Sequence, residues 1–326
     1  MCGIFGYFGD IISERNIPIM TSELFDKLGQ IAQSRGNDGW GAMVGNYSQY
    51  EPQSRLFKFN KKSFVEKSYY GMLNCRAKPE TEVESSEKQI QPIRRHSSYL
   101  VHNGSLSEKY VRDIYKKYNW EPSSGIDSEA LLCMVKNEGN DSKSLSKVDG
   151  GFSFIYMQNK GDELKVSIAC KYQPLFELIV DVQMPADDCG VISTYYYYHS
   201  CKEGIDEIKK YFEKSKEEWF GDFYITFRER EFPEYSYVNY EVSKKYLKKD
   251  SGTFIPKFQY GIQVKPTKKI KVLCATSSGI DSTTSLMLAD ELLRVSNVDY
   301  SIDAIHFKYG HRGQDAEEFA IRNVIA

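Results

Sequence analysis

The chain has 326 residues, 41% of them hydrophobic and 27% charged, and a formal net charge of -2; these are the proportions of a globular protein with room for one large domain or two ordinary ones. It lacks the excess of positive charge that announces nucleic-acid binding, any apolar run near the ~20 residues that span a bilayer, and a basic leader, so it reads as cytoplasmic with no membrane partner. Its 7 cysteines are scattered without a CxxC pair, which suggests neither a disulfide framework nor a zinc site.

The chain opens MCGIFGYFGD. A cysteine before an apolar run is ordinarily a small hydrophobe buried on a first strand. At position two there is a second reading. Methionine is removed before a small residue, and Cys2 would then carry both its thiol and an α-amino group with a pKa of roughly 7.7 to 8.0. Such an amine can serve as the base for its own side-chain nucleophile.

Leu24, Phe25, Leu28, Ile31 and Ala32 recur at helical spacing through residues 21–35, with Thr21 or Ser22 to cap the start and Gly36 to end the helix. The stretch SRGNDGWG, which contains Asp38 and Gly39, is a glycine-rich loop, and NCRAKPETE places Arg76 at a strand end. A guanidinium there can hold a carboxylate in bidentate fashion. Residues 99–102 predict a strand, and Asn103 and Gly104 follow it in VHNGSL. A side-chain amide plus a glycine N–H makes a competent oxyanion pair.

A second amphipathic helix is predicted in residues 105–120 and a third in DSEALLCMVKNEG, where Asp127 either receives a substrate ammonium or caps the helix. Strands are expected at 152–157, 164–170 and 222–227. The cluster YYYYHS at 195–200 offers stacking platforms for bases or, as the plainer alternative, an aromatic strand covered on both faces. Without a regular βαβ rhythm, residues 2–240 predict an α+β layered domain.

Residues 241–268 are basic, contain prolines and glycines, and read as a linker. From 269 to 326 the texture is βαβα: an apolar strand IKVLCA, a helix, a strand SIDAIHFKYG and the start of a further helix. That pattern predicts a parallel sheet. Two strands do not make a stable parallel domain, so the rest is expected from a longer product or from another chain completing the second domain.

Cys-Gly-Ile at the start, Arg-Gly-x-Asp-Gly, a strand-end Arg, His-Asn-Gly and Asp-Ser-Glu occur together in this order, and residues 2–240 thereby resemble the class II glutamine amidotransferases. KYQPLFE resembles that family's later Pro-Leu stretch. The resemblance implies an αββα N-terminal-nucleophile sandwich and glutamine as substrate. Cys2 would attack the amide and release ammonia through a thioester. Arg76 would hold the α-carboxylate, Asn103 and Gly104 the oxyanion, and Asp127 the α-ammonium, with Asp38 and Gly39 in the glutamine-binding loop. No cofactor is implied for this half-reaction. Asn37 stands where the family has proline, and Cys75 where it has threonine.

ATSSGIDSTTS, between the IKVLCA strand and the next helix, resembles the phosphate loop of the ATP-pyrophosphatase enzymes, with Ser278 in place of the first glycine. The resemblance implies ATP and Mg2+ at Ser277, Gly279, Asp281, Ser282 and Thr283. FKYGHRGQDAEE resembles a stretch of 7-cyano-7-deazaguanine synthase through Tyr309, Gly310 and Arg312, with His311 where glutamine is usual. That family's four-cysteine zinc site lies beyond Ala326. No metal ligands are therefore expected in the chain itself. The pairing of the two halves resembles the fusion enzymes that add glutamine-derived ammonia to the nitrile of 7-cyano-7-deazaguanine. Archaeal members act on tRNA and similar viral proteins serve DNA, so the expected acceptor is the free base or the base in nucleic acid. An asparagine-synthetase-like ATP-dependent ligase and a non-catalytic scaffold are the alternatives.

Overall fold

The computed structural model describes residues 2–9, 20–47, 52–58, 68–77, 86–160, 162–183, 191–215, 224–243, 246–255, 270–275, 280–295 and 300–305. The chain divides into two compact units, Met1–Lys257 and Phe258–Ala326.

The first unit contains two antiparallel sheets. One runs β11 (Tyr224–Glu231), β9 (Phe176–Gln183), β10 (Val191–His199), β1 (Gly3–Gly9), β4 (Tyr70–Arg76), β2 (Gly39–Tyr47) and β3 (Pro52–Lys58). The other runs β13 (Leu247–Thr253), β12 (Ser236–Ser243), β8 (Glu163–Lys171), β7 (Gly150–Lys160), β6 (Ser98–Leu106) and β5 (Ile93–Arg95). Strand periodicity sends alternate side chains of each strand into different cores. From β1, Phe5 and Tyr7 join Leu24, Phe25 and Leu28 of α1 (Ser22–Gln33) and Ile205, Ile208 and Phe212 of α5 (Lys202–Ser215). Ile4 and Phe8 instead face Val101, Ile155 and Ile168 of the second sheet. The far side of that sheet buries Leu100, Phe152 and Phe154 against α2 (Glu108–Tyr118) and α3 (Ser128–Glu138). The layer order is helices, sheet, sheet, helices.

Close approach of the two sheets has a local cause. A Cβ on Gly6 would meet the Ile155 side chain at 2.8 Å. The tyrosine cluster is the covered strand β10: Tyr195 and Tyr197 lie in the helix-side core, and Tyr196 and Tyr198 in the core between the sheets.

Thr21 caps α1 by accepting from the Leu24 N–H at 3.2 Å. Two expectations are corrected. Asn103 and Gly104 lie within β6, paired with Ser153 and Phe152, and do not follow the strand. The stretch 241–268 is not all linker, because its first part finishes β12 and forms β13, whose Leu247 to Thr253 pair with Val242 to Ser236. Backbone pairing at a sheet edge needs no apolar alternation, which is why the basic composition there resembles a tether.

In the second unit β14 (Ile270–Ala275) pairs in parallel with β15 (Tyr300–Ile305), and α6 (Ile280–Val295) lies between them in sequence. The helix expected at the chain's end falls outside the described residues. No helix among the described residues is long and apolar enough to cross a membrane.

Candidate active site

β1 and β4 are neighbours, and their register sets Gly3 opposite Cys75. Cys2 therefore arrives beside Arg76, and both line a cavity of about 520 Å³. The second sheet, the segment before α3 and the turn after β8 supply the opposite wall, including Gly104, Asp127 and Gln173. Four residues singled out in the sequence, Cys2, Arg76, Gly104 and Asp127, thus meet at one cavity although they come from four separate segments.

Cys2, Gly104, Asp127 and the neighbouring Asn103 have identifiable supports. The Cys2 Sγ lies 3.9 Å from the Ala77 carbonyl oxygen. Burial pushes its thiol up, while the Ala77 backbone, the positive amino terminus, the Arg76 guanidinium and the Asn74 amide pull it down. Gly104 has φ +143°, and a Cβ there would stand 2.1 Å from the Gly151 carbonyl oxygen, so only glycine fits. Asn103 is fully buried, and its Nδ2 donates to Gln173 Oε1 at 3.2 Å. Asp127 stands at the N-cap position of α3, but its side chain makes no capping bond. Its Oδ2 accepts from the Leu106 N–H at 2.8 Å, and its side chain stays 30% exposed at the cavity.

Beneath Asp127 lies a network that the sequence reading missed. The His102 N–H donates to Gln91 Oε1 at 2.5 Å, and Gln91 Nε2 donates to Ser128 Oγ at 3.1 Å. Ser128 Oγ also lies 3.0 Å from His102 Nδ1, so one hydroxyl links the Gln91 amide to the imidazole. Burial holds the His102 pKa down against the pull of Asp127. A neutral imidazole therefore sits 4.0 Å from the Asp127 carboxylate. His102 adjoins Asn103 in sequence, and Ser128 adjoins Asp127. Neither pairing is visible without the fold.

Glu129, 1% exposed, anchors the segment that carries Asp127. It accepts from the Ser124 N–H at 2.8 Å, the Ser124 hydroxyl at 2.6 Å, the Ser123 N–H at 2.9 Å and Trp120 Nε1 at 3.1 Å. Burial alone would raise its pKa, but these donors outweigh burial and hold the carboxylate below its ordinary value.

Asp38 and Gly39 are not brought to the same cavity. They line a smaller one of about 200 Å³ together with Cys75. The Asp38 N–H donates to the Arg76 carbonyl at 2.8 Å, and Gly39 pairs with Arg76 across β2 and β4, so the loop is tied to the strand that ends in the guanidinium. Of the phosphate-loop residues, Ser277 and Gly279 lie outside the described residues, whereas Asp281, Ser282 and Thr283 occupy the first turn of α6 after strand β14. Tyr309, Gly310 and Arg312 also lie outside the described residues. Among the described residues no cluster of His, Cys, Asp or Glu is arranged to hold a metal ion.

No protein-family model matches the chain. It is 25% identical over 345 aligned residues to 7-cyano-7-deazaguanine synthase 2 of Sulfurisphaera tokodaii, an alignment covering 99% of this chain and 62% of the relative. It is 26% identical over 342 residues to 7-cyano-7-deazaguanine synthase of Saccharolobus solfataricus, again covering 99% and 62%. The chain thus spans 62% of the length of these curated relatives, and the similarity runs through both of its compact units.

Proposed function

We propose that the first unit hydrolyses glutamine at Cys2 and that the ammonia goes to a 7-deazaguanine acceptor. One observation carries the first half. Cys2, Arg76, Gly104 and Asp127 converge on a single cavity with a nucleophile, a cation, an N–H donor and a carboxylate in place. The helix–sheet–sheet–helix layering supports assigning the unit to the αββα N-terminal-nucleophile class. The similarity to two 7-cyano-7-deazaguanine synthases supports the second half.

In this reading the Arg76 guanidinium holds the glutamine α-carboxylate and Asp127 its α-ammonium, which points the side-chain amide at Cys2. With Met1 removed, the Cys2 amine takes the thiol proton and sulfur attacks the amide carbon. The carbonyl electron pair moves onto oxygen, where the Gly104 N–H and the Asn103 amide stabilise it. The proton passes to the leaving nitrogen, the C–N bond breaks, and ammonia departs from a thioester. Water then cleaves the thioester to glutamate and regenerates the thiol.

The acceptor step has two forms. Ammonia adds across the nitrile of 7-cyano-7-deazaguanine, free or in tRNA or DNA, giving a formamidine. Alternatively, as the relatives' names favour, ammonia supplies the nitrile nitrogen while 7-cyano-7-deazaguanine is being made. The second form condenses ammonia with a carboxyl group and removes both of its oxygens, activated by ATP, for which Ser277, Gly279, Asp281, Ser282 and Thr283 are the proposed site.

Glutamate release by the mature chain, compared with Cys2→Ala, tests the first half. The expected outcome is release that vanishes in the variant, and release indifferent to Cys2 overturns it. Amide-15N glutamine tests the second half: label in a formamidine or in a nitrile of a 7-deazaguanine selects between the two forms. Label in asparagine, with aspartate and ATP supplied, overturns both.

A further inference from the structure

Asn74 is fully buried on β4, and neither its Oδ1 nor its Nδ2 has a hydrogen-bond partner among the described residues. Buried amides are nearly always bonded, so an orphaned one in a native fold calls for a physical reason. Its position suggests one. Tyr70 and Met72 of β4 point into the core between the sheets, and by the two-residue period Asn74 and Arg76 share that face. On β1, Ile4 and Phe8 point the same way, which places Cys2 on that face too. The register sets Asn74 opposite Ile4 and Cys75 opposite Gly3. Cys2 is therefore the diagonal neighbour of Asn74, the cross-strand relation within reach of longer side chains.

The second sheet closes the space from the other side. Gly6 packs on Ile155, while Cys2 and Gly151 line the same cavity. Ile4 and Ser153 fall between those two levels. Ser153 is buried with its hydroxyl unpartnered, and its cross-strand partner Asn103 has an unpartnered Oδ1. The core between the sheets thus ends, at the Cys2 level, in polar groups whose bonding capacity is unspent.

We infer that Asn74 is a catalytic residue of the Cys2 site, its side-chain amide donating to the Cys2 sulfur when that sulfur is the thiolate. The amide's pull on the Cys2 thiol, toward lower pKa, has the sign this contact requires. A buried donor that prefers the charged form stabilises a thiolate that burial otherwise disfavours. The inference rests on Cys2 acting as a nucleophile, and the test separates it from glutamine hydrolysis.

The test is the pH profile of Cys2 alkylation by iodoacetamide, read by mass spectrometry on the Cys2 peptide of the full chain. Wild type is compared with Asn74→Leu, which keeps the shape, and Asn74→Ser, which keeps a donor. In Asn74→Leu the profile is expected to move up by about one pH unit, a roughly tenfold slower alkylation near neutrality. Asn74→Ser should fall between the two. The thermal midpoint of Asn74→Leu should hold or rise, because an apolar side chain replaces an unsatisfied amide. A profile unchanged in both variants overturns the assignment. If Asn74→Leu does not fold, Asn74→Ser decides alone, a wild-type profile then being the overturning result. Glutamate release is scored separately, so a chain that alkylates normally and releases none refutes the glutamine reading without touching Asn74.

Discussion

Glu129 illustrates how much of the candidate site depends on a residue that never faces the cavity. Its carboxylate gathers donors from Trp120, Ser123 and Ser124 and so fixes the segment ending in Asp127. Glu129→Gln keeps the size and removes the charge. It is expected to lower stability by about 1–3 kcal/mol and to raise the KM for glutamine more than it lowers kcat, measured by denaturant unfolding and steady-state kinetics. Because the folded-state pKa of Glu129 is depressed, its contribution is present above the unfolded value of about 4.3 and is lost as pH falls through the folded one. The gap between wild type and variant should therefore close in acid. Gly104→Ala, whose Cβ would meet the Gly151 oxygen and, at 2.9 Å, His102 Nε2, is expected to reduce glutamate release by about 100-fold or more. Cys2, Arg76, Gly104 and Asp127 were legible because each sits in a short motif of distinctive chemistry. His102, Gln91 and Ser128 were not, since their roles arise from a network assembled by three segments, and Asn74 is meaningful only through its register with β1.

At the scale of elements, α1, α2 and α3 announced themselves by helical spacing and by polar residues at their starts. Strands β6, β7 and β8 were legible from apolar runs that the fold buries. β13 was not, because the composition LKKDSGT belongs to an edge strand that pairs through its backbone and leaves most side chains in water. Its importance is testable by truncation. A chain ending after residue 240 cuts β12 and removes β13, exposing the backbone of the remaining β12 and of β8 at Glu163–Lys165, whereas one ending after Lys257 keeps the whole first unit. The shorter product is expected to aggregate, and the longer one to elute as a discrete species and melt cooperatively, as judged by size exclusion and circular dichroism.

For the whole molecule, two buried histidines set the acid limit. His199 is fully buried, its Nδ1 accepts from the Cys201 N–H at 2.9 Å, and burial pushes its pKa down to about 4; His102 is shifted in the same direction by burial. Both bind protons more readily unfolded, at about 6.5, than folded. Their contribution is complete above that value and is lost as pH falls toward the folded pKa. The thermal midpoint should thus be level near neutrality and fall below about pH 6.5, and His199→Gln should flatten part of that fall.

Strand β10 has a genetic consequence. It lies between β9 and β1, and its four tyrosines alternate between two cores with different partners. Substitution of one tyrosine alters one core, but deletion of a single codon would transpose all those beyond it. Tyr198 would lose its hydroxyl contacts to Glu177 and Tyr240, and ring positions matched to Phe212 would receive those matched to Phe8. Reading-frame-preserving deletions should therefore be purged from this segment as thoroughly as nonsense codons, and a deletion scan across the gene would show a gap there.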